Sequence, residues 1–167
     1  MRENLVNALR MRRPHVRARW EDLLRIERAS SPLANPDALV HLLEWTLDEI
    51  FLALANPLPP PRQSRHAPAN DYRHECPCGR NPLLTYFAAG EQALREALVM
   101  AQASSTPIEA SERDAALEQL DVELHRIARR EIEAFCGVCQ HRLFAATPTA
   151  ILPTAEAAFV ADAAHHS

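Results

Sequence analysis

Glycine is nearly missing from this chain, with three residues in 167, at Gly79, Gly90 and Gly137. Aromatic side chains are also scarce, at 5%. Strands and tight hairpins draw on both, so a β-rich fold is not expected and the class read from composition is all-α. Lysine is absent, and all 18 basic residues are arginine. That hints at a GC-rich bacterial genome and has no mechanistic meaning of its own. The net charge of −4 does not indicate wholesale nucleic-acid binding. No apolar run approaches a membrane span, and the amino terminus lacks the apolar stretch of a secretory signal. The expected location is therefore the cytoplasm, a reducing compartment. The familiar enzyme motifs are missing too: no glycine-rich phosphate loop, no Gly-x-Ser-x-Gly elbow and no His-Glu-x-x-His pair. Neither enzymatic activity nor a small-molecule substrate is expected.

What the chain does have is four cysteines in two clusters. One is His74-Glu75-Cys76-Pro77-Cys78-Gly79 and the other is Cys136-Gly137-Val138-Cys139-Gln140-His141. In a reducing compartment such clusters indicate metal binding or redox chemistry before a disulfide framework. Thiolates are soft ligands, and four of them favour tetrahedral zinc or an iron–sulfur cluster. Cys136-x-x-Cys139 has the common chelating spacing. Cys76-x-Cys78 is tighter and less usual for zinc, with Gly79 letting backbone N–H groups approach the sulfurs. The expected site is Cys76, Cys78, Cys136 and Cys139, with zinc favoured. An iron–sulfur cluster, copper, a reversible dithiol or disulfide, and four unrelated thiols stay open. His74 and His141 flank the site as supporting residues or substitute ligands. A haem-attachment motif would need its histidine directly after the second cysteine, and Gln140 intervenes. A thioredoxin-type dithiol would need a βαβ context that the sequence does not offer.

Helix signals explain how two distant clusters can meet. Asn81-Pro82 is a capping residue followed by proline at the first helical position, predicting a helix over 82–102 that stops at Ser104-Ser105-Thr106-Pro107. Ser111, with Asp114 three residues on, predicts the start of a helix that Gly137 should end after Cys136. A short connection makes the two antiparallel, so both clusters fall at one end of a hairpin. Upstream, residues 3–28 form a helical stretch interrupted near Pro14, with Val16, Trp20, Leu23 and Leu24 on one face. Its many arginines read as a solvated face ahead of a surface for an acidic partner. Asn35-Pro36-Asp37 opens another helix, whose apolar positions Leu39, Val40, Leu43, Leu47, Ile50, Phe51 and Leu54 form a broad stripe. Leu42 and Trp45 widen it, which fits either deep burial or a homodimer face.

The expected architecture is one domain over 1–167, a bundle of four main helices. A proline-rich crossover spans 56–74, and a partly irregular tail over 142–167 carries a short helix capped by Thr154. Glu91, His125 and Glu131 invite comparison with a di-metal carboxylate centre. Those centres need Glu-x-x-His motifs, and no histidine here has one.

Two short stretches, Val16-Arg17-Ala18-Arg19-Trp20 and Leu94-Arg95-Glu96-Ala97-Leu98, resemble the amino-terminal helical sensor domains of bacterial stress-response regulators, which are similar to a globin without haem. The resemblance spans residues 3–136 loosely and implies sensing or scaffolding without chemistry. The cysteines lie outside that pattern, so no functional residue is carried over. Two readings follow. The first is a non-enzymatic regulator or scaffold, clamped by its metal and acting through a protein partner or a homodimer. The second is a redox sensor or electron-transfer protein using the same sulfurs.

Overall fold

Asn35 and Asn81 start helices for the same reason. In each, the backbone is extended and the side-chain oxygen accepts from an amide two residues on, Asp37 at 3.1 Å and Leu83 at 2.9 Å. Proline then fills the first helical position, where no N–H is needed. The computed structural model describes residues 3–26, 35–57, 81–104 and 108–138. These form α1 (Glu3–Met11), α2 (Arg13–Ile26), a single turn α3 (Pro36–Leu39), α4 (Leu43–Ala55), α5 (Pro82–Ala103) and α6 (Ala110–Val138). Among the described residues there is no strand, and the fold is all-α. The crossover beyond Pro57 and the tail over 142–167 lie outside the described residues.

The expected boundaries hold where a local signal is strong. The break near Pro14 falls at Arg12, whose amide reaches back to Leu9 while its carbonyl accepts from Val16. Proline is tolerated at the second position of α2 because first-turn amides have no intrahelical partner. Three boundaries differ. The helix opened by Asn35 passes through a tighter 3-10 turn at Val40–Leu42 before α4; with the first stretch split into α1 and α2, five helices of two turns or more stand among the described residues where four were expected. α6 begins at Ala110, ahead of Ser111, because the Glu109 carbonyl takes the first amides, those of Glu112 and Arg113. It also runs through Gly137 to Val138. Glycine permits a left-handed stop without imposing one.

The core is one cluster to which every long helix contributes. α1 buries Leu5, Val6 and Leu9, and α2 buries Val16, Trp20 and Leu24 at four-residue spacing. α5 lies against α1, α2 and α6, while α4 packs on α6 and α1. Trp20 is fully buried, as a core anchor should be. Its indole N–H donates to the Tyr86 carbonyl at 2.9 Å, and its ring lies 4.8 Å from the Tyr86 ring. The Tyr86 hydroxyl donates to Thr46 Oγ1 at 2.8 Å, and Thr46 donates to the Leu42 carbonyl at 2.9 Å. Burial pushes the Tyr86 hydroxyl well above the usual phenol range. This chain of polar contacts joins α2, α5 and α4 through the apolar interior, with each buried donor satisfied.

Candidate metal centre

Three side chains mark the seam between α5 and α6. Near the upper end of α5, Gln102 Nε2 donates to the Arg113 carbonyl at 3.1 Å. Midway, Arg95 forks onto Asp121 at 2.6 and 2.8 Å. At the start of α5, Asn81 Nδ2 donates to the Ile132 carbonyl at 3.2 Å and to Cys136 Sγ at 3.4 Å. Each step up α5 meets a step down α6, so the two helices form the antiparallel hairpin that the short connection requires. They are 22 and 29 residues long, about 33 and 44 Å at 1.5 Å per residue. The beginning of one therefore lies beside the end of the other, as the cluster argument needs.

Cys136 is 6% exposed and faces Asn81, which is 2% exposed. Cys76, Cys78, Cys139, His74 and His141 lie outside the described residues. Among the described residues, no group of three or more histidine, cysteine, aspartate or glutamate side chains is placed to hold a metal ion. Glu91 and His125 sit 3.5 Å apart across the same seam, and Arg95 also binds Glu91. Glu131 is engaged elsewhere, by Arg130, which also reaches Glu49 of α4.

The arginines of α1, α2 and the break between them are exposed or half-buried and engage acids and carbonyls at the surface of the fold. Arg10 donates to the Phe51 carbonyl, and Arg12 to the Met100 carbonyl and Ser104. Arg13 binds Glu44 and Asp48, Arg17 binds Glu44, Arg19 forks onto Glu96, and Arg25 pairs with Glu21. The hydrogen bond from Arg19, with a second from Gln92, holds the Glu96 carboxyl below the usual range. Arg13 does the same for Asp48. The stretches Val16–Trp20 and Leu94–Leu98 thus touch each other, through Arg19 and Glu96. On α4 most of the apolar stripe is buried, whereas Trp45 and Leu52, with Leu42 of the preceding 3-10 turn, stay exposed.

Sequence reasoning took Asn81 only for a helix cap. Its position three residues after Cys78 was the available signal for a second role, since it starts the helix that leaves the first cluster. The close approach of Gly90 to the Trp20 ring, 2.2 Å from an added Cβ to the nearest ring carbon, has no local signal. Compared with protein-family models, with curated proteins and with solved structures, this chain matches none.

Proposed function

We propose that this chain is a non-enzymatic, metal-binding helical protein with a regulatory or scaffolding role. In it, Cys76, Cys78, Cys136 and Cys139 hold one zinc ion that clamps the end of the α5–α6 hairpin. The observation that carries the reading is the contact between Asn81 and Cys136. Three residues of extended chain span at most about 11 Å. That reach bounds the distance of Cys78 from Asn81, and of Cys139 from Cys136. Covalent connectivity thus keeps one thiol of each cluster near the same helix end. Four thiolates there make a soft, tetrahedral donor set suited to zinc.

The regulatory part of the proposal draws on the sensor-domain resemblance of the stretches at Val16–Trp20 and Leu94–Leu98. The partner, a protein or a second copy of the chain, draws on the exposed Leu42, Trp45 and Leu52. The bundle of four helical stretches with its crossover and short closing helix, and the cytoplasmic location, belong to the same proposal.

Elemental analysis and an absorption spectrum on anaerobically purified protein test it together. The expected result is stoichiometric zinc in a colourless protein. Stoichiometric iron with visible absorbance would replace zinc by an iron–sulfur cluster and shift the role to electron transfer or redox sensing. Metal-free protein with reversibly oxidised thiols would leave only the dithiol reading.

A further inference from the structure

We propose that the face of α4 around Trp45 and Leu52 is the contact of a two-fold dimer, in which Trp45 of each copy enters the hollow beside Leu52 of the other. This inference rests on the partner part of the reading above and commits it to a second copy of the chain.

Trp45, Asp48 and Leu52 stand three and four residues apart, so they share one side of α4. Trp45 is 47% exposed and Leu52 59%. Beside Leu52 the surface sinks into an open hollow of about 530 Å³, lined by Arg10, Arg13, Asp48, Phe51 and Leu52. A projecting indole and a hollow thus lie on one face, about 10 Å apart along the helix. A patch that carries both a projection and a recess is self-complementary, as a two-fold contact requires. An axis crossing α4 between Asp48 and Glu49 runs the two helices antiparallel and sets Trp45 of each copy opposite Leu52 of the other. The charges fit the same arrangement. On the side of α4 that meets α1 and α2, Glu44 and Asp48 come first, both bound by Arg13. Arg10 comes later, donating to the Phe51 carbonyl at 3.2 Å. Reversing the second helix brings Arg10 of each copy over the Glu44–Asp48 turn of the other, so opposite charges meet at both ends. Arg13 already offsets Asp48, so the entering indole meets no bare carboxylate. It meets guanidinium groups, to which an aromatic face is attracted. Tryptophan and arginine are also the side chains that most often carry the energy of such contacts.

The test is sedimentation equilibrium of the full chain, reduced and at about 5–500 µM, for the wild type, Trp45→Ala, Arg10→Glu and Asp48→Arg. All three positions are exposed, so the variants should keep the wild-type circular dichroism. The expected result is a concentration-dependent dimer in the wild type and association weaker by about ten-fold or more in each variant. An equimolar mixture of Arg10→Glu and Asp48→Arg should dimerise again, because each reversed charge then faces an opposite one. In the wild type alone, acrylamide quenching of tryptophan emission should weaken as concentration rises, since Trp20 is already buried and only Trp45 becomes covered. A wild type that stays monomeric throughout would overturn the inference. So would a Trp45→Ala dimer as tight as the wild type, or a mixture that associates no better than its components. None of these outcomes touches the four-cysteine reading, which stands or falls on its own metal analysis, and a monomeric wild type leaves that reading's other partner, a different protein, in place.

Discussion

Gly90→Ala should destabilise the protein, although alanine is the better helix former. Gly90 lies inside α5, where helix propensity alone would favour alanine by about 1 kcal/mol. Packing opposes this. A Cβ built on Gly90 falls 2.2, 2.5 and 2.6 Å from three carbons of the Trp20 ring. Ordinary carbon–carbon contact lies at about 3.5–4.0 Å, so helix and ring must part by more than about 1 Å. The ring has nowhere to go. It is fully buried, pinned through its N–H to the Tyr86 carbonyl and packed against the Tyr86 ring. Overpacking a tight core costs about 1–3 kcal/mol, and a rigid neighbour puts this site at the upper end. Subtracting the propensity gain leaves a loss of about 2 kcal/mol. For a domain of this size that lowers the melting temperature by about 4–8 °C. Thermal and urea unfolding followed by far-UV circular dichroism measure it. Trp20→Phe serves as the partner in a double-mutant cycle: with the indole's benzo ring removed, Gly90→Ala should lose most of its penalty. Equal or higher stability of Gly90→Ala in the wild-type background would refute the close approach of α2 to α5.

The remaining predictions concern the polar links and the sulfurs. Thr46→Val strands the buried Tyr86 hydroxyl and should cost about 1–3 kcal/mol, whereas Tyr86→Phe should cost about 1. The double variant should then cost less than the two singles combined, measured by urea unfolding. Glu96 and Asp48 are held below their usual carboxylate range by Arg19 and Arg13. A depressed folded-state pKa gives stability that is present above the unfolded value of about 4 and is lost as pH falls through the folded one. The advantage of the wild type over Glu96→Gln should therefore shrink below about pH 4 and stay constant above pH 6; an advantage that grows toward acid would refute the pairing. Removing the proposed zinc with a chelator, or Cys136→Ser, should lower the melting temperature and speed amide exchange in the facing ends of α5 and α6. Unchanged melting after complete metal removal would count against the clamp.

Features written locally in the chain were legible, and those made by packing were not. Asn35 and Asn81 were readable as caps because the capping contact spans two residues and needs only a side-chain acceptor. The apolar face of α2 and most of the stripe of α4 were readable from their spacing. Ser111 misled because a backbone carbonyl, that of Glu109, can take the first amides of a helix whatever side chain follows. Gly137 misled because it allows a stop that tertiary contacts override: Asn81 holds Ile132 and Cys136 in helical register just before it. Which arginines face water could not be read from composition. The acids that engage Arg13 and Arg19 lie 31 or more residues away in sequence. The same distance hid the contacts of Asn81 with Ile132 and Cys136. Of the candidate site, the meeting of the two helix ends was legible through hairpin logic, and Cys136 is where that logic put it. The other three cysteines lie outside the described residues.

The convergence of two cysteine pairs on one ion is tested most directly by X-ray absorption at the metal edge of the anaerobically purified protein. The account predicts a zinc edge whose nearest shell is four sulfurs at about 2.3 Å. A nearest shell of nitrogen or oxygen at about 2.0 Å, or no bound metal, would contradict it.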